Sequence, residues 1–191
     1  MKAALRVVRL TLCGLFFPLV LCSLPSILSS LPGDAAAVIK IGVIAPFEGA
    51  GRPLGYAVLP AIKAAAQEAN ARGDLGRYRV LVVAFNDDLD PPRAAEQARA
   101  LALDGDVIAV LGPWTRPAAE AAGPILAGAG LPFIARADLA APAWGEKWDD
   151  ATLAAAAERA GEDARRLLRA LAEDVRLHGR PSRAGTAAAL R

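Results

Sequence analysis

Val38-Ile39-Lys40-Ile41-Gly42-Val43-Ile44-Ala45 is a nearly continuous run of β-branched and small apolar residues, followed at once by Pro46, Gly49 and Gly51. A strand with one wet face alternates apolar and polar residues, whereas an unbroken run bounded by turn residues is the pattern of a strand buried on both faces of a parallel sheet. Downstream the period changes. From Leu54 to Arg72 the apolar positions Leu59, Ile62, Ala66 and Ala69 recur three or four apart, which is one helix face, and Gly73 ends it. Arg79 to Phe85 reads as a second strand. Asp90-Pro91-Pro92 supplies an N-cap and a proline at the first helical position for a helix running to about Leu103. Val107 to Leu111 is a third strand, Arg116 to Gly128 a third helix, and Leu131 to Ala135 a short fourth strand. Strand and helix alternating at this spacing imply right-handed βαβ units, hence an α/β fold with a doubly wound parallel sheet of about four strands.

After Pro142 the alternation stops. Residues 143–150, with Trp144 and Trp148, read as a polar connection, and Asp150 is placed to cap a long helix. The face of that helix is Leu153, Ala157, Ala160, Ala164, Leu167, Leu171 and Val175; Gly179 and Pro181 close it, and Ser182 can cap a final short helix. At 191 residues the chain suits one domain of ordinary size, divided into an α/β core over 38–142, the connection over 143–150 and C-terminal helices over 151–191.

Residues 1–37 stand apart. Lys2, Arg6 and Arg9 precede an uncharged stretch from Leu10 to Leu31, and Ala35-Ala36-Ala37 follow, the pattern of a signal peptide. The same stretch is long enough to act as a membrane anchor. Leu19-Val20-Leu21-Cys22 is similar to a degenerate lipobox, with Leu21 where a small residue belongs, which would make Cys22 a lipidation site. Cys13 and Cys22 both lie in this segment, so the remainder has neither a disulfide nor a thiolate metal site. The segment also carries the chain's excess positive charge. Of 22 Lys+Arg and 20 Asp+Glu it holds three and one, leaving 19 against 19, so electrostatics give a nucleic-acid partner no support.

Ligands of open parallel sheets sit beyond the carboxyl ends of the strands. The loops there are 46–53, 86–90, 112–117 and 136–141. Gly49-Ala50-Gly51-Arg52-Pro53-Leu54-Gly55 occupies the place of a dinucleotide-binding loop, with Asp87 or Asp88 as the ribose-binding acid, but its spacing is G-x-G-x-x-x-G. A receiver-like acidic pocket on Asp87 and Asp88 lacks its further acid and its lysine. The single histidine, His178, falls in the last turn of the long helix, where it would meet terminal carbonyls, and Ser182 is the only serine beyond residue 37. That inventory argues against hydrolytic and metal chemistry. Arg52, Arg116 and Arg136 lie in or beside three of the loops and could converge on a carboxylate or phosphate, or pair instead with Glu48, Asp87 and Asp138.

The strands and loops together resemble a known family. Ile39 to Pro46 with Gly49 and Leu54-Gly55, Ala64-Ala65-Ala66-Gln67-Glu68-Ala69-Asn70-Ala71-Arg72-Gly73, Asn86-Asp87-Asp88 with Asp90-Pro91, Val110-Leu111-Gly112-Pro113-Trp114 and Ala129-Gly130-Leu131-Pro132-Phe133-Ile134 are similar to the first lobe of type I periplasmic solute-binding proteins, specifically the Leu/Ile/Val-binding family of ABC-transporter substrate-binding proteins. Asp163 to Leu171 and Gly179-Arg180-Pro181-Ser182-Arg183 resemble the family's C-terminal helix, which the resemblance implies packs back on a flavodoxin-like lobe. The connection then stands where a second lobe would be inserted. The resemblance implies an extracytoplasmic, non-enzymatic protein with no cofactor, working with a permease in amino acid transport and touching the membrane only through residues 1–37. Its ligand would be a small polar solute, such as an amino acid or carboxylate. The family's lobe-one hydroxyls would fall near 116–117 and 139, where this chain has Arg116, Pro117 and Leu139. The candidate ligand-binding residues are therefore Thr115, Arg116, Arg136 and Asp138, with Arg52 approaching from the first loop. The alternatives are a truncated or degenerate member acting through protein contacts, and a dinucleotide-binding oxidoreductase.

Overall fold

The computed structural model describes residues 36–139 and 148–191. Residues 1–35 of the expected signal or anchor segment 1–37, including Cys22, and most of the 143–150 connection lie outside the described residues, while Ala37 already belongs to the first strand. β1 (Ala37–Ala45), β2 (Tyr78–Asn86), β3 (Val107–Leu111) and β4 (Phe133–Ile134) form one sheet in the order β2-β1-β3-β4, with every neighbouring pair parallel. β1 is central, and Ile41 to Ala45 are all buried, which is why that run carries no polar alternation. β4 is shorter than the expected 131–135. Leu131 donates its backbone N–H back to Leu126 O, and Pro132 has only a carbonyl to offer, which Val110 N–H takes at 3.0 Å.

α1 (Arg52–Arg72) begins two residues before the expected Leu54, because Pro53 suits the first helical turn and a 3-10 turn over Gly49–Gly51 leads directly into it. α2 (Pro91–Leu103) and α3 (Arg116–Gly128) run as expected. α4 (Asp150–His178) is capped by Asp149 rather than Asp150: Asp149 Oδ1 accepts from Thr152 N at 2.7 Å, while Asp150 enters the first turn, where its charge favours the positive end of the helix. Ser182 caps α5 (Arg183–Leu190) by accepting from Gly185 N.

Two cores follow from the two faces of the sheet. α1 and α4 cover the face carrying Ile39, Ile41, Val43 and Leu111; α2 and α3 cover the face carrying Ile44, Val107 and Val110. Alanine is the common contact residue, so helices sit close to the sheet and to each other. The buried stripe of α4 is wider than the expected one. Ala156, Gly161, Leu168 and Ala170 join Ala160, Ala164, Leu167 and Leu171, whereas Ala157 is only half-buried. A stripe about 100° wide results when a helix of 29 residues must face both α1 and the sheet.

The C-terminus is tied by two polar clusters. The Arg183 guanidinium collects carbonyls at the start of β3 and the end of α2, Val107 O at 2.9 Å and Asp104 O at 2.7 Å, with Ala102 O at 3.4 Å. Fully buried Asp174 accepts from Ser182 N at 2.6 Å and pairs through Oδ1 with His178 Nδ1 at 2.8 Å. His178 therefore serves a carboxylate one turn back, not the terminal carbonyls expected of it. No helix among the described residues is long and apolar enough to cross a membrane.

Candidate functional site

The strand order reverses between β1 and β3, so the loops leaving their carboxyl ends flank a crevice. On the β1 side the loop is stapled by a side chain from β2: Asn86 Oδ1 accepts from Phe47 N at 2.7 Å and from Asp88 N at 3.1 Å. Asp87, next along, is 1% exposed; its N–H reaches Ala45 O and its carboxylate accepts from Leu89 N at 3.2 Å. Burial pushes the Asp87 carboxyl up from 3.8 to about 6. It has no cation partner among the described residues, and it is turned into the protein, not toward a ribose. The positive φ angles of Asp88 and Leu89, 54° and 59°, bend the loop around it.

On the β3 side the backbone is fixed more tightly. Gly112 has φ 91° and its N–H donates to Ile134 O at 2.8 Å, and a Cβ placed on it would stand 2.2 Å from Ile44 O. Only glycine lets β3 pass so close to the end of β1. The Gly112–Pro113 peptide is cis. Trp114 is 1% exposed, and its Nε1–H has no partner among the described residues. Thr115 is the N-cap of α3, 2% exposed, and bridges Leu139 in parallel, which joins the loops after β3 and β4. Arg136 N donates to Pro113 O at 2.9 Å, adding a second tie between them.

The candidate side chains fare differently. Thr115 and Arg116 stand together at the start of α3, and Arg116 is exposed with no ion pair among the described residues. Arg136 is committed elsewhere: Nε and one Nη meet the two oxygens of Asp163 at 2.7 and 2.9 Å, a fork-to-fork pair with a carboxylate only 7% exposed. That partner holds the guanidinium pKa above its ordinary value. Asp138 lies 3.8 Å from Arg159, and Arg52 is stacked over the Tyr56 ring at 4.9 Å. The expected convergence of Arg52, Arg116 and Arg136 is thus not what the chain builds. Nor do Glu48, Asp87 or Asp138 form an ion pair with any of those three among the described residues. α4 and an aromatic ring supply the partners instead, and both are too far along the chain, or too weakly marked, for sequence spacing to reveal. Leu139 is buried in the core that faces α1 and α4, so it completes packing where a hydroxyl was implied.

The family model described as "Periplasmic binding protein" matches residues 38–187. Among solved structures, the branched-chain amino acid transporter substrate-binding protein LivJ from Streptococcus pneumoniae, in complex with isoleucine, is 30% identical with a TM-score of 0.50, over 53% of this chain and 30% of its own. "A possible leucine/isoleucine/valine-binding protein" from Rhodopirellula baltica SH 1 is 30% identical with a TM-score of 0.49, over 52% of this chain and 27% of its own. An ABC-transporter solute-binding protein from Rhodopseudomonas palustris BisB5, in complex with 3,4-dihydroxybenzoic acid, is 28% identical with a TM-score of 0.46, over 52% and 27%. The chain thus matches under a third of the length of these proteins. No curated protein sequence matches it. With the family model spanning both the parallel sheet and the returning C-terminal helices, the chain belongs to the periplasmic binding protein family.

Proposed function

We propose that this chain is an extracytoplasmic binding protein of the ABC-transporter substrate-binding type, not an enzyme, whose described lobe contacts a small polar or anionic solute at the mouth of the β1–β3 crevice. The observation that carries the reading is the pairing at the start of α3. Arg116 is the one arginine among the three loop candidates left without a charged or aromatic partner in the described residues, and it stands beside Thr115 at a helix N-terminus. A carboxylate there gains from the guanidinium and from the helix dipole. Binding through one wall leaves much of the solute wet, so affinity in the millimolar range is expected.

The test is calorimetry and thermal shift of the purified chain against amino acids, dicarboxylates and benzoates. Arg116→Gln should abolish the shift, while the Arg136 variants described below should not. A melting point unmoved by every compound in the parent protein would overturn solute binding and favour a member acting through protein contacts. The engagement of Arg136, Asp138 and Arg52 in intramolecular contacts supports that second reading.

A further inference from the structure

Away from the crevice, α1 and α4 enclose a surface groove of about 480 Å³ with an unusual charge pattern. Four arginines line it, Arg72, Arg165, Arg169 and Arg176, against two carboxylates, Asp74 and Glu173; with Glu68, which pairs with Arg72, the local formal excess is one positive charge. The carboxylates are already used. Asp74 holds Arg72 at 2.8 Å, Glu68 adds a second bond to the same guanidinium, and Glu173 grips Arg176 at 2.9 Å. Arg165 and Arg169 have no ion pair or hydrogen bond among the described residues.

That vacancy is not a matter of distance along the helix. Glu162 is three residues before Arg165, but no hydrogen bond or ion pair joins them among the described residues, and the nearer Asp163 has both oxygens on Arg136. Glu173 is four residues after Arg169, but its two oxygens face Arg176. Arg165 and Arg169 are themselves four apart on α4, and a like-charged pair at that spacing opposes the helix. The Arg165 guanidinium lies back over Gly161 beside Ala61 of α1, where the absence of a side chain on Gly161 leaves it room. Ala65 and Ala172 keep the floor of the groove low. The result is a concave site with two uncommitted guanidinium forks above small apolar side chains, a donor set that matches the oxygens of a phosphate-class anion.

We infer that the α1–α4 groove binds a small, multiply charged oxyanion of the phosphate class through Arg165 and Arg169, at a site separate from the β1–β3 crevice. Binding there relieves the repulsion between the two arginines, one turn apart on α4, so it stabilises that helix. The inference does not depend on the crevice binding a solute.

Titration of the full chain with pyrophosphate, followed by calorimetry and by the phosphorus-31 line width, tests it. Arg165→Gln/Arg169→Gln keeps helix-forming side chains and removes both forks; it should weaken binding roughly tenfold or more while leaving the unliganded melting point unchanged or raised. Glu173→Gln frees Arg176 and should tighten binding severalfold, a gain that no misfolded variant could imitate. Vesicles of phosphatidic acid separate the sources: competition by soluble pyrophosphate places a lipid phosphate in the same groove. Absence of pyrophosphate binding in the parent chain, or binding unchanged in both the double variant and Glu173→Gln, overturns the inference.

Discussion

Replacing Arg136 by Met is the sharpest probe of how the crevice is held. The change removes both donors to Asp163 but keeps a long apolar stem, so packing is largely preserved. What remains is a carboxylate 7% exposed with no counter-charge. Breaking one side of a fully buried pair costs about 3–5 kcal/mol. The Arg136 side chain is 31% exposed, so water can partly compensate, and about 2–3 kcal/mol is the appropriate expectation. For a domain of this size that lowers the melting point by roughly 5–10 °C. Arg136→Met/Asp163→Leu removes both charges and should return to within about 1 kcal/mol of the parent. Urea denaturation of the parent, both single variants and the double closes the cycle, with the coupling read directly from the midpoints. A single variant costing under about 0.5 kcal/mol, as for an exposed pair, would refute the reasoning. So would a double variant as unstable as the sum of the singles. The double variant has a second use: it should keep any solute affinity conferred by Arg116, which separates a residue that holds the loop from one that meets the ligand.

Asp87→Asn tests the buried carboxyl. Its folded pKa of about 6 lies above the ordinary 3.8, so the folded chain holds the proton more tightly. Its contribution is full below about pH 4 and is lost as pH rises through 6, costing roughly 3 kcal/mol at pH 7. The amide should therefore raise the urea midpoint at pH 7 and leave it little changed at pH 4; equal effects at both pH values would refute this. Gly112→Ala should cost about 2–3 kcal/mol, because φ is 91° and the new methyl would stand 2.2 Å from Ile44 O; an unchanged melting point would contradict that geometry. Gly185→Ala would place a methyl 1.8 Å from Asp174 Oδ1, and hydrogen exchange should show α5 released first, with a loss of about 1–3 kcal/mol.

The regular elements could be read from the sequence because their signals are local. Pro91 and Pro117 mark the first turns of α2 and α3, and the core-facing period of each helix is carried by its own residues. The errors were local too and small: Asp149 rather than Asp150 at a cap, Arg52 inside α1, and a β4 cut short by Pro132. The site was far less legible. Arg136 and Asp163 are 27 residues apart, and nothing in the period of either element indicates that α4 turns that carboxylate onto the loop after β4. Asn86 falls at the end of a strand pattern, yet its side chain, not its strand position, fixes the first loop. Trp114 reads as a loop aromatic but is buried beneath the crevice.

The arginines show why proximity in sequence misleads about charge. An arginine beside a ligand loop is available only if no carboxylate from another element reaches it first, and α4 reaches both Arg136 and, through Arg159, Asp138. Those ties close the loop after β4 against α4 and join it to the loop after β3 through the Thr115–Leu139 bridge. One wall of the crevice is thereby made rigid by interactions that take its charged groups out of service. Arg116 escapes because it opens α3 on the exposed side, out of reach of α4's acids. Arg165 and Arg169 escape because the acids nearest them in sequence act on other arginines. Anion recognition at these two places should therefore follow Arg116 at the start of α3 and Arg165 with Arg169 in the α1–α4 groove, where an unpaired guanidinium coincides with a helix N-terminus or a concave surface, and should be insensitive to Arg136 wherever the fold survives its loss.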